Sequence, residues 1–136
     1  MGKLEAKNVE KFFEHDGKPL KALGGVNLTV EDGEFICVVG PSGCGKSTFL
    51  RILAGLEKPD GGEILLDGKK LDDTGPDRIM VFQEGALFPW LTVRDNVEYG
   101  LKIAGIPKEE RNDISKRYLE MMQLTQFANS YTYQLS

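Results

Sequence analysis

Gly40-Pro41-Ser42-Gly43-Cys44-Gly45-Lys46-Ser47-Thr48 satisfies G-x-x-x-x-G-K-[ST] at every fixed position, and the architecture turns on it. An apolar run, Phe35 to Val39, stops directly before it, and helix-compatible residues, Lys46 to Leu56, follow. That strand, loop, helix order is the context in which the pattern carries meaning. Gly40, Gly43 and Gly45 free the backbone for conformations that a Cβ resists, so successive N–H groups can converge into a concave anion site. A helix beginning there adds its unpaired N–H groups and the positive end of its dipole. The residue types therefore predict a P-loop, a turn that holds phosphate.

Within the loop each residue has its own task. Lys46 brings a full positive charge to the β and γ phosphates of a nucleotide, and the Ser47 hydroxyl is placed to ligate Mg²⁺. Gly40, Pro41, Ser42, Gly43, Cys44, Gly45, Lys46, Ser47 and Thr48 together form the expected binding surface for ATP. The competing reading is an accidental match in a Gly-rich turn, expected in roughly one chain of this length in a few hundred from ordinary Gly, Lys and Ser/Thr usage.

Composition narrows the classes. A chain of 136 residues with 40% hydrophobic content suits one domain of ordinary size. The 21 acidic and 17 basic residues give a net charge of −4 without a long basic run, which disfavours nucleic acid as a partner. Met1-Gly2-Lys3-Leu4-Glu5 lacks a signal-peptide apolar core, and no stretch approaches the ~20 apolar residues of a membrane span. The expectation is a cytoplasmic polypeptide that meets a membrane only through a partner. Cys37 and Cys44 suit neither a disulfide framework nor a zinc site and read as reduced thiols. Cys44, near a helix N-terminus and Lys46, has two readings, a thiol reactive toward alkylating agents and, the favoured one, a small residue filling a tight loop. His15, between Glu14 and Asp16, reads as a solvated turn residue.

Taken in order, Lys3 to Phe13 reads as an edge strand and Glu14 to Pro19 as a turn. Val26, Leu28 and Val30 alternate with polar residues over a half-buried strand ending at Asp32-Gly33. Phe35 to Val39 has no alternation and predicts a strand covered on both faces, as in parallel sheets. After the loop, Phe49, Leu50, Ile52, Leu53 and Leu56 fall on one helical face. Glu63 to Leu66 and Lys69 to Leu71 flank the hairpin signal Asp67-Gly68. Ile79 to Phe82 predicts a second covered strand ending at Gln83, the place where α/β sites lie. Leu87, Phe88, Pro89, Trp90 and Leu91 form an aromatic cluster in a loop, which reads as a docking surface or as internal packing. Thr92 caps a helix through Val93, Val97, Leu101 and Ala104. A second helix from Lys108 to Leu124 carries Ile114, Tyr118, Met121 and Met122 on a stripe read as core.

Gly40 to Thr48, Gln83 at a strand end, Glu84 to Trp90 and the terminal Tyr133-Gln134-Leu135-Ser136 together resemble the first half of an ATP-binding subunit of an ABC transporter. Val81 to Trp90 with Asp95-Asn96-Val97 is most similar to the nitrate, sulfonate, taurine and bicarbonate importer group. The resemblance implies an α/β P-loop NTPase fold, with an antiparallel β subdomain and P-loop core over residues 1–91 and the beginning of a helical subdomain over 92–136. It implies that Phe13 stacks on adenine in preference to Phe12. It also implies that Gln83 contacts Mg²⁺ or the attacking water, and that Ser136 belongs to the nucleotide-contacting signature motif. Lys46 and Gln83 are then the catalytic candidates, and Ser47 and Gln83 the metal ligands.

Partners follow from the same resemblance. They are a second ATP-binding subunit in a homodimer, an integral-membrane permease docked on Leu87, Phe88, Pro89, Trp90 and Leu91, and indirectly a solute-binding protein. The location implied is the cytoplasmic side of the cell membrane, held there peripherally. The family's Walker B aspartate, catalytic glutamate and switch histidine have no counterpart up to Ser136. A fragment lacking turnover of its own, with a gap in its sheet and open ladder edges on the Val38 and Val81 strands, is therefore expected. A non-catalytic nucleotide-binding module, a soluble ABC-type ATPase and a small-molecule kinase are the alternatives.

Overall fold

Alternating apolar residues and a two-residue Asp16-Gly17 turn fold the first thirty positions onto themselves. In the computed structural model, which describes residues 2–83 and 85–135, strand β1 (Leu4–His15) pairs antiparallel with β2 (Lys18–Val30). Strand β3 (Gly61–Leu66) lies on the other side of β1, and β4 (Lys69–Lys70) follows it through Asp67-Gly68, giving the order β2-β1-β3-β4. β1 is thus an inner strand and not the edge expected from the sequence. Its far side is taken by β3 in a register that runs Leu4 against Leu66 through Lys7 against Glu63. The register breaks at Asn8, which has φ 49° and whose N–H donates to Asn27 Oδ1 at 2.8 Å. Gly62 crosses this bulge at φ +77°, where a Cβ would lie 2.2 Å from the Asn8 carbonyl oxygen, so only glycine fits.

Helix α1 (Lys46–Leu53) lies against this sheet. Phe49 and Ile52 join Ala6, Val9, Leu23 and Ile64 in one buried cluster, each large side chain contributing about 1.5–3 kcal/mol on burial. The helix ends at Leu53, and just past its C-cap Ala54, where the sequence places the stop, Gly55 turns left-handed at φ +75°. Its N–H donates to the Ile52 carbonyl, and that of Leu56 to Arg51.

The two runs predicted to be covered parallel strands are not strands. Residues 34–40 are unpaired, with Phe35 92% and Val39 81% exposed, and residues 79–82 are likewise unpaired with Ile79 and Val81 exposed. The apolar composition is right for a two-sided strand. No strand among the described residues runs beside either run, so neither ladder bonds nor covering side chains exist to hold one.

The chain clusters into two compact units, Met1–Met80 and Val81–Ser136. In the second, Thr92 caps α2 (Val93–Ile103) by accepting the Asp95 N–H at 3.1 Å, as its position predicts. Helix α3 (Lys108–Met121) packs on α2, and Val93, Leu119 and Ala128 form the core. The stripe expected to be core is not the buried face: Tyr118, Met121 and Met122 are exposed, and α3 buries Ser115 and Leu119 instead. Ser115 hides this face from a hydrophobicity reading. Its hydroxyl donates to Glu98 Oε1 at 2.8 Å, which makes a polar residue acceptable inside. Glu98 also pairs with Arg111 at 3.6 Å, tying the two helices together.

Candidate functional site

The loop between residue 40 and α1 is shaped by glycine at two positive-φ positions, Gly43 at 79° and Gly45 at 95°. Gly45 is the N-cap of α1 and lies hard against β2. A Cβ there would meet the Ala22 carbonyl oxygen at 2.6 Å and Leu23 Cδ2 at 2.9 Å. The end of the loop is therefore fixed to the middle of β2. No side chain caps α1, and its first turn holds no acidic residue, so no carboxylate of that turn offsets the positive helix end.

Lys46 reaches back across the loop. Its ammonium donates to the carbonyls of Gly40 at 2.8 Å and Pro41 at 2.7 Å, and lies 3.5 Å from Cys44 Sγ. This places a cation at the loop's opening, beside the exposed Pro41, Ser42, Gly43 and Cys44. Ser47 is exposed and Thr48 half-buried. Uncapped helical N–H groups, one ammonium and an available hydroxyl are the donor set that a polyphosphate with its divalent cation requires, and the loop fits that ligand.

The sheet register ties the loop to the aromatic pair. Phe13 lies opposite Leu20 on β2, while the loop's end rests on Ala22 and Leu23 of the same strand. Two to three residues along a strand is about 7–10 Å. Phe12 and Phe13 are both half-exposed but keep different company. The Lys21 ammonium lies 5.7 Å from the Phe12 ring centre, and the Lys11 ammonium 5.6 Å from that of Phe13. Both rings line an open cleft of about 380 Å³ together with Glu14, Lys18, Pro19 and Asp60.

Lys11 and Asp60 were not singled out by the sequence reading. Lys11 is 8% exposed, and its ammonium donates to the Lys58 carbonyl at 2.8 Å and pairs with Glu57 at 2.9 Å and Asp60 at 3.4 Å. Donation to Glu57 is the main cause holding the Lys11 pKa above its usual value. The Phe12 N–H, donating to Asp60 Oδ2 at 2.7 Å, is the main cause holding the Asp60 carboxyl below its usual value, with the Lys11 charge adding to it. The available signal was positional. Lys11 follows Val9 by one strand period, so a charged residue falls where the pattern asks for an apolar one.

In the second unit Gln83 is exposed, and Ser136 lies outside the described residues, as does Glu84. The aromatic loop is built around Phe88. Asn96 accepts the Phe88 N–H at 2.9 Å and donates to the carbonyls of Phe88 and Thr92 at 3.1 and 2.9 Å. Phe88 also contacts Tyr99 and Trp90, with ring centres 4.5 and 5.4 Å apart. So anchored, the loop presents Leu87, Pro89 and Trp90 outward and leaves Leu91 half-buried. No helix among the described residues is long and apolar enough to cross a membrane.

Residues 23–136 match the family model of the ABC transporter. The chain belongs to this family. The ABC chain is 45% identical over 133 residues to the nitrate import ATP-binding protein of Synechocystis sp., covering 98% of this chain and 50% of that protein. It is 43% identical over 136 residues to the taurine import ATP-binding protein of Pseudomonas aeruginosa, covering 100% and 52%. Among solved structures it is similar to a dimeric ATP-binding cassette in a post-hydrolysis state bound to ADP and phosphate, with TM-score 0.82 and 36% identity, covering 98% of this chain and 63% of that one. The fold is accordingly that of an ABC ATPase cassette, an α/β P-loop NTPase. The ABC chain spans about half the length of the curated relatives it matches.

Proposed function

We propose that this chain binds Mg-ATP at the Gly40 to Thr48 loop, and that it is the phosphate-holding part of an ATPase subunit powering import of a small anion such as nitrate, a sulfonate or taurine. The observation that carries the reading is Lys46 lying across a glycine-shaped loop at an uncapped helix end, with Phe13 two to three residues away along β2. The loop and helix N–H groups hold the phosphates, and Lys46 exchanges carbonyl partners for phosphate oxygens. Phe13 offers a ring face to the base. Ser47 supplies the hydroxyl that holds Mg²⁺, which when bound neutralises charge on the β and γ phosphates. Gln83 is assigned to the metal or to the attacking water from its place in the sequence.

The same reading gives the chain its partners. A second ATP-binding subunit completes a homodimer, as in the dimeric cassette it is similar to. The Leu87 to Leu91 loop meets a membrane-embedded permease on the cytoplasmic side, and a solute-binding protein acts through that permease. Residues 1–91 then serve nucleotide binding, while 92–136 open a helical subdomain.

Titration of the chain with Mg-ATP tests the central step. Lys46→Ala is expected to weaken binding by about 1.5–3 kcal/mol, the range for a hydrogen bond to a charged group. Unchanged affinity removes the reading. Trp90, the single tryptophan, reports on the loop, and a fluorescence change on adding permease-containing membranes is the expected result.

A further inference from the structure

We infer that Lys11 and Asp60 are positioning residues for the nucleotide's base, setting the Phe13 ring through a brace between the tip of β1 and the turn before β3. The inference rests on the reading of Phe13 as the base-stacking ring. Strand β3 begins at Gly61, opposite Glu10, so beyond Glu10 that side of β1 has no strand. Asp60 stands in for one. Its N–H donates to the Glu10 carbonyl at 2.9 Å, and its Oδ2 accepts the Phe12 N–H at 2.7 Å, extending the ladder by one rung with a side chain.

Lys11 carries this hold to the ring. Its ammonium is shared by Asp60 Oδ1 at 3.4 Å, Glu57 at 2.9 Å and the Lys58 carbonyl at 2.8 Å, so it cannot drift, and it lies 5.6 Å from the Phe13 ring centre. A buried cation against an aromatic face fixes ring orientation as well as adding attraction. Phe13 keeps 41% of its surface exposed, enough to receive a second flat group. Because Phe13 and the phosphate loop are both referred to β2, the brace sets the spacing between base and phosphate subsites.

The test compares ATP with inorganic tripolyphosphate, which has the phosphate chain but no base, by calorimetric titration of the full chain. Lys11→Met and Asp60→Ala are expected to raise the ATP Kd about three- to tenfold, the scale of one weakened stacking contact, while leaving tripolyphosphate affinity within about twofold. Lys11→Arg, which keeps the cation, restores ATP binding. In a Phe13→Leu background Lys11→Met has no further effect. A brace that merely supports the fold weakens both ligands together, and that result overturns the inference, as does an unchanged ATP Kd. Should Lys11→Met unfold the chain, Asp60→Asn, which keeps an acceptor for the Phe12 N–H but drops the charge facing Lys11, carries the same comparison. Wild-type chain that fails to bind ATP refutes the proposed function itself. Wild-type binding that depends on Lys46 but not on Lys11 or Asp60 refutes only the brace.

Discussion

Two stretches of similar strand-like composition meet opposite fates in this chain. Val26 to Val30 lies in β2 and pairs with β1 on both sides of the Asn8 bulge, whereas Phe35 to Val39, only a short turn later, is bare of ladder partners and mostly exposed. The difference lies in the neighbours. β2 returns along β1 through a two-residue turn, so its pairing is local and costs little loop entropy. A strand covered on both faces needs partners brought from afar, and none is found beside residues 34–40 among those described. Apolar composition supplies the wish for burial, and pairing decides whether a strand exists.

Amide exchange should separate the two stretches most widely. The N–H groups of Leu28 and Val30 are expected to exchange orders of magnitude more slowly than those of Cys37 and Val38. Comparable protection would show that the second stretch finds a partner in solution, such as another chain along its open edge. Next in size is Ile64→Ala, which deletes a side chain only 2% exposed under α1 and is expected to cost about 2–5 kcal/mol in urea unfolding.

A smaller effect belongs to Asp60. Its folded pKa lies below the ordinary 3.8, chiefly through the Phe12 N–H, so its stabilisation is present above that value and lost as pH falls through the folded pKa. Asp60→Asn should flatten that acid limb. Lys11, raised above 10.5, contributes below that value and loses its contribution only as pH rises through the folded pKa, leaving the acid limb to Asp60. Smallest is Val39→Ala, expected within about 0.5 kcal/mol of the parent, because an exposed side chain has little burial to lose. A cost near that of Ile64→Ala would mean that residues 34–40 pack after all.

The geometry of the candidate loop was legible because its rules are local. Gly43, Gly45, Lys46 and Ser47 act within one loop and one helical turn, and the Asp67-Gly68 and Thr92 signals each concern a few neighbours. The Lys11 brace was not legible, since it joins residues 46 to 49 apart in the chain. Nor was the buried face of α3, where Ser115 takes a place that hydrophobicity assigns elsewhere.

By itself, then, the order of residues determined a glycine-punctuated loop, the start of the helix behind it and the hairpin turns, because each depends on backbone conformations and caps set within a few positions. Tertiary structure alone decided which apolar runs became strands, which phenylalanine shares its ring with a buried ammonium, and which face of α3 is covered. Those outcomes depend on partners distant in sequence, whose approach is governed by sheet register and side-chain packing.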